Sequence, residues 1–220
     1  MSKQNKGIIE IVTVFIAVYL IPFFISFLIE KIDLPGMNLI LPAIVCLFMA
    51  LIPCLVVWKK KIDWKKFGFW KTGMGWQILW GIIIFAVLFT IFILLPILLG
   101  ADPSKTGGVE LDSVKELVGN ILFYFFFVAA GEEILFHGYF YTRIMYLSDN
   151  PRLAIFLSSI FYGVAHLQSI WGIRLMFNTM IHGFVYSIAR YKFKNCSLLS
   201  LIIAHALHDS MIDVLSFILL

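Results

Sequence analysis

Gly131-Glu132-Glu133-Ile134-Leu135-Phe136-His137-Gly138 is the stretch on which the reading of this chain turns. The ten residues 121–130 ahead of it carry no charge, and Tyr139, Phe140, Tyr141 and Ile144 follow it. Residues 118–147 therefore read as a membrane-spanning helix with two adjacent carboxylates inside it. At the centre of such a helix each charge costs roughly 2.5–3.5 kcal/mol on insertion scales, so the pair is kept for what it does there. At about 100° per residue, Glu132 and Glu133 point about a quarter-turn apart. Glu133 and His137 are i,i+4 neighbours and reach each other, whereas Glu132 lies on the stripe of Phe136 and Tyr139. One carboxylate is held by a local partner; the other is free to face a cavity.

Composition fixes the class around that helix. The chain is 61% hydrophobic with a mean hydropathy of +0.97, more apolar surface than a soluble domain of 220 residues needs. Aromatic residues make up 16%, and Trp and Tyr near segment ends fit interfacial belts. A formal charge of +4 is too small to argue for nucleic acid. Cys46, Cys54 and Cys196 have no paired spacing and read as small packed side chains.

Outward from the glutamates, seven apolar runs are predicted to span the membrane: 8–29, 38–58, 76–99, 118–147, 153–167, 170–191 and 197–220. The first is too long for a signal peptide and lacks a small-residue cleavage pattern, so it reads as a retained span. Pro42 and Pro53 sit in the second, as lipid-embedded helices allow. Residues 30–36 read as a turn, 59–71 as a basic linker and 100–116 as a loop. The expected fold is an all-α, polytopic bundle of about seven transmembrane helices. Residues 1–117 are its N-terminal scaffold of three spans and 118–220 its core of four, together one membrane domain. With the N-terminus in the cytoplasm and the C-terminus outside, all of the 17 basic residues except Lys31, Lys105, Lys115 and Arg174 fall on inside loops or span ends.

The interiors of the first three spans read as nearly free of ionisable groups, and all five histidines lie in the core. His166 closes the fifth span behind Gly163 and Ala165, whose small size permits close helix approach. In the seventh span His205 and Asp209 are i,i+4 on one face, so the carboxylate fixes the imidazole's tautomer or shares a ligand with it. His208 points about 60° to the other side, and Asp213 continues the Asp209 stripe. Arg174, Asn178, His182 and Tyr186 form an i+4 stripe on the sixth span, read first as interhelical hydrogen bonding.

Glu-Glu-x-x-x-polar-Gly in one span, an aromatic-x-x-x-His in the next and His-x-x-x-Asp in the last resemble the three motifs of the CAAX-protease and bacteriocin-processing family of intramembrane proteases. The resemblance covers about residues 118–216, and Phe67-Gly68-Phe69 is similar to that family's pre-helix turn. It implies a catalytic glutamate at Glu132, a supporting glutamate at Glu133, a first histidine at His166, and a second histidine with its partner at His205 and Asp209. Where the family usually has arginine this chain has His137, which supplies the same charge only while protonated. Where the family usually has phenylalanine it has Tyr162.

Peptide hydrolysis inside a membrane needs a polar cavity, an activated water and a donor for the oxyanion. Glu132 suits the general base, His166 the orientation of the water, and His205 with Asp209 the oxyanion side. A second version places a divalent metal such as zinc on His166, His205 and a carboxylate. The partners implied are the bilayer and a peptide or prenylated-protein substrate. Two further readings use the same residues without chemistry: a proton-coupled carrier and an immunity or partner-binding relative. The protease reading demands that Glu132, His166, His205 and Asp209 converge on one polar cavity, with His182 at its edge. Counting about 1.5 Å per residue puts His166 roughly 20 Å deep, Glu132 about 17 Å and His205 roughly 12 Å. The fifth and seventh spans are therefore expected to be axially offset.

Overall fold

Lipid offers the backbone no hydrogen-bond partners, so long apolar runs must close their own hydrogen bonds as helices. The structure, a computed structural model, describes residues 3–30, 37–103, 108–167 and 172–219. Among them eight helices follow in order: α1 (Lys3–Glu30), α2 (Met37–Lys59), the short α3 (Trp64–Phe67), α4 (Met74–Leu98), α5 (Val114–Ser148), α6 (Pro151–Ala165), α7 (Gly172–Lys192) and α8 (Leu198–Leu219). The fold is all-helical. Most of the turn expected over 30–36, residues 104–107 of the 100–116 loop, and residues 170, 171 and 220 of the last two spans lie outside the described residues.

Among the described residues four helices are long and apolar enough to cross a membrane: residues Ile40–Lys59 within α2, then α4, α5 and α8. The chain is a multi-pass membrane protein. Two expected boundaries shift. At 35 residues α5 runs past both ends of the expected span and measures about 50 Å. It begins at Val114, where Ser113 caps it by accepting from the Glu116 N–H. α6 is apolar but only 15 residues long, about 22 Å, short of a hydrocarbon core of about 30 Å. Its last residue is Ala165, which leaves His166 as its cap in the interior of the fold.

Glycine sets the spacing between the helices that carry the site. A Cβ on Gly131 would lie 2.7 Å from the Cys46 carbonyl oxygen of α2, and one on Gly163 would lie 2.7 Å from the Met176 carbonyl oxygen of α7. Both are backbone atoms with no room to give, so α5 lies directly against α2, and α6 against α7.

Polar pins, read only in part from the sequence, hold the first helices to the rest. Glu10, inside α1, accepts from Arg143 Nε and Nη2 at 2.8 and 2.9 Å and from the Tyr139 hydroxyl at 2.9 Å, and it pairs with Lys60. Glu10 stands at the start of the expected first span, outside the interior that the sequence reads as nearly free of ionisable groups. Buried Gln77 donates from Nε2 to the carbonyls of Trp70 and Thr72 and accepts from Ser197 at the head of α8. Arg190 donates to the carbonyls of Lys66 and Phe67, and the Leu198 N–H donates to the Gly68 carbonyl. The Phe67-Gly68-Phe69 turn is thereby fixed, with Phe67 buried in the core and Gly68 at φ +116°. Asp213, one turn beyond Asp209, is buried in α8. Its carboxylate accepts from the Val109 N–H, Asn120 Nδ2 and the Tyr124 hydroxyl at 2.9–3.0 Å, tying the segment before α5 to α8.

Candidate active site

Between α4, α5, α6, α7 and α8 lies a cavity of about 740 Å³. Glu132, His166, His205 and Asp209 all line it, together with Tyr162 and Tyr186. Most of its walls are helical, with Gly100, Ala101 and Asp102 after α4 and His166 at the cap of α6 completing them.

The winding of α5 changes at the glutamates. Glu133–Phe140 is wound more loosely, with i→i+5 hydrogen bonds, as is Tyr124–Val128 before it. Such turns concentrate at functional sites because they re-aim side chains without ending the helix. Glu132 closes the tight turn Ala129–Glu132, and Glu133 opens the loose one.

Glu133 is completely buried and does not line the cavity. Its Oε2 lies 2.7 Å from His137 Nδ1, a close pairing off the direction of a straight hydrogen bond, and its Oε1 accepts from His205 Nδ1 at 2.9 Å. His137 Nε2 in turn donates to the Gly183 carbonyl of α7 at 3.2 Å. The imidazole thus faces an acceptor at each nitrogen, and only its protonated form has an N–H for both. His137 joins α5 to α7 through the pair predicted by the i,i+4 spacing.

Glu132 faces the cavity. Its Oε2 is 3.7 Å from His166 Nε2 and has no hydrogen-bond partner among the described residues. His166 Nδ1 donates to the Tyr162 carbonyl at 2.9 Å, which leaves Nε2 with its lone pair towards Glu132. A carboxylate oxygen and an imidazole lone pair at that separation form a seat for one water. His205 is different. Nδ1 is on Glu133, and Nε2 lies 3.2 Å from Asp209 Oδ2, so both ring nitrogens act as donors and the ring is a cation between two carboxylates. Tyr162 and Tyr186 pack their rings 6.2 and 6.3 Å from it.

All five expected site residues are therefore gathered here, with Glu133 behind the wall and the other four on it. α6 ends at Ala165, and His166 stands just beyond it as its cap. His182 lines the cavity and meets the ring of His208 edge-on, with the centroids 4.9 Å apart. Tyr186 and His208 complete the lining, and neither was singled out as a site residue. Their signal was in the sequence, as the i+4 stripe on α7 and the i+3 step from His205.

Three comparisons bear on this geometry. Residues 114–211 match the family model described as type II CAAX prenyl endopeptidase Rce1-like. No curated protein and no solved structure matches the chain. The matched segment begins with α5 and ends two residues after Asp209, so it holds every expected site residue and leaves α1 to α4 outside. The match is to the family that the three motifs resemble, a family of membrane endopeptidases.

A metal in this site would need imidazole lone pairs from both His166 and His205. Both nitrogens of His205 are engaged by carboxylates, and among the described residues no three His, Cys, Asp or Glu side chains are grouped to hold an ion. The donor set does not fit a metal.

Proposed function

We propose that the matched segment hydrolyses peptide bonds within the membrane by a glutamate-activated water. Glu132 is the general base and His166 Nε2 the second acceptor that orients the water for attack. As the water loses its proton to Glu132, the attacking hydroxyl adds to the scissile carbonyl. The developing oxyanion is met by the positive ring of His205 and by the hydroxyls of Tyr162 and Tyr186. Glu132 then returns the proton to the departing amine. Glu133 and Asp209 are positioning residues: they hold His205 in its orientation and charge. The observation that carries this reading is Glu132 Oε2, without a hydrogen-bond partner among the described residues and 3.7 Å from His166 Nε2 in the cavity.

The substrate class follows the family, a prenylated C-terminal peptide, with a leader-bearing peptide as the competing substrate. The test is cleavage of both peptides by purified protein in detergent or nanodiscs, comparing wild type with Glu132→Gln. Cleavage by wild type alone, undiminished by a chelator, is the expected result. Equal turnover by Glu132→Gln, or loss of turnover on chelation, would sink the mechanism.

A further inference from the structure

A second cavity, of about 970 Å³, lies at the C-terminal end of α5 and shares no lining residue with the one at Glu132. The start of α1, the linker between α2 and α3, and the last turns of α5 enclose it. The junction is close: a Cβ on Gly7 of α1 would lie 2.4 Å from Leu147 Cδ2 of α5. Its volume falls within the range of about 300–1,000 Å³ of small-molecule sites. Lys6, Lys60, Lys61, Lys66 and Arg143 line it, against the acids Asp63 and Asp149. Asp63 is engaged as the cap of α3, where it accepts from the Lys65 N–H at 2.9 Å. Glu10, outside the lining, pairs with Lys60 and takes up Nε and Nη2 of Arg143. Five cations against three carboxylates leave the cavity positive, and Ile62, Met145 and Leu147 give it an apolar part.

Depth in the membrane selects the occupant. Trp58, one residue before the end of α2, is 72% exposed, and Trp64, which opens α3, is 43% exposed. They flank Lys59 to Lys61 in the chain, and exposed tryptophans beside lysines mark the headgroup level of a bilayer. We infer that this cavity seats the headgroup of an anionic phospholipid. The lysines meet its phosphate diester, and Ile62, Met145 and Leu147 meet its glycerol and first methylenes. Basic pockets between helices at the membrane surface take such headgroups. A free phosphate offers the same charge but nothing for the apolar part of the lining. Seated there, the lipid bridges α1, the linker and α5, the same pieces that Glu10 joins from within. The site is independent of the chemistry proposed at Glu132.

Wild-type protein in neutral detergent is titrated with dansyl-labelled phosphatidylglycerol, and energy transfer from tryptophan reports binding. Unlabelled phosphatidylglycerol should displace the probe at a concentration about tenfold lower than phosphatidylcholine requires, each basic contact being worth roughly fivefold. The triple variant Lys6→Gln, Lys61→Gln, Lys66→Gln should weaken phosphatidylglycerol binding by about 10–100-fold. A second triple variant, Lys59→Gln, Lys65→Gln, Lys71→Gln, removes the same charge from the same linker and helix ends but outside the cavity. It should change binding about threefold at most, as screened charges do. Lys6→Gln alone, at an exposed position, replaces the first triple variant should that one misfold, with a loss of about fivefold. Equal loss in the two triple variants would mean attraction by diffuse charge and overturns the site. Equal competition by phosphatidylcholine would mean a lipid-facing surface without selectivity and overturns it too. Inorganic phosphate displacing the probe as well as phosphatidylglycerol does would overturn the lipid assignment in favour of a soluble anion.

Discussion

Glu132 and Glu133 are neighbours in sequence with opposite surroundings, and substitution separates their tasks. Glu132 holds a cavity-facing oxygen with no hydrogen-bond partner among the described residues, so replacing it removes a costly group and strands none of them. Glu132→Gln is expected to lower turnover by about 10²–10⁴-fold, with the thermal unfolding midpoint in detergent unchanged or raised. Glu133→Ala strands His137 and His205 together, both buried and both oriented by it. Breaking one partner out of a buried ion pair costs about 3–5 kcal/mol, so this variant should lose thermal stability as well as activity. Full activity and an unchanged midpoint in Glu133→Ala would dissolve the division of roles. The contact of Glu133 with His137 was legible because i,i+4 residues meet on any helix. Its contact with His205, 72 positions away, was not, because no local periodicity encodes which helix faces which.

At the level of helices, the close approach of α2 to α5 decides where Glu132 sits. Gly131 lies against the Cys46 carbonyl, directly before the proposed base. A methyl group there must push α2 away or rotate α5, and overpacking of this kind costs about 1–3 kcal/mol. Gly131→Ala is therefore expected to reduce turnover far more than its loss of stability accounts for, since the displaced atom is the neighbour of Glu132. Retained activity with a lowered unfolding midpoint would mean that the site tolerates the shift. Asp213 offers the contrast. It is buried, accepts three hydrogen bonds and does not line the cavity. Asp213→Ala leaves those donors unmatched at about 1–3 kcal/mol each, and its effect should appear in stability first. Helix existence and the polar stripes were readable from hydropathy and spacing. The end of α6 at Ala165 was missed because Leu167 continues the apolar run and no proline or glycine stands at the stop. The role of Asp213 was missed because its donors lie 89 to 104 positions away.

For the molecule as a whole, the division into a scaffold of residues 1–117 and a core of 118–220 remains our proposal, and the pins argue that neither part is self-sufficient. Glu10 in α1 holds Arg143 and Tyr139 of α5, and Gln77 of α4 holds the head of α8. The same pins locate the basic end of the bundle: Lys60 joins Glu10 and Arg143, while Arg190 of α7 reaches the carbonyls of Lys66 and Phe67. Lys59 to Lys71, Arg143 and Arg190 thus gather at one end, as the positive-inside rule requires of cytoplasmic loops. We propose that this end is cytoplasmic, which puts the N-terminus inside. Lys65 is exposed on α3 at that end. A single cysteine at position 65, in a background with Cys46, Cys54 and Cys196 replaced by serine or alanine, should resist an impermeant thiol reagent in intact cells and react after lysis. Labelling in intact cells would invert the orientation, and the basic residues would then lie on the wrong side for insertion. Protection that persists after lysis would mean that the linker is shielded by the protein itself, so a second cysteine at exposed Lys71 serves as the control that decides between the two.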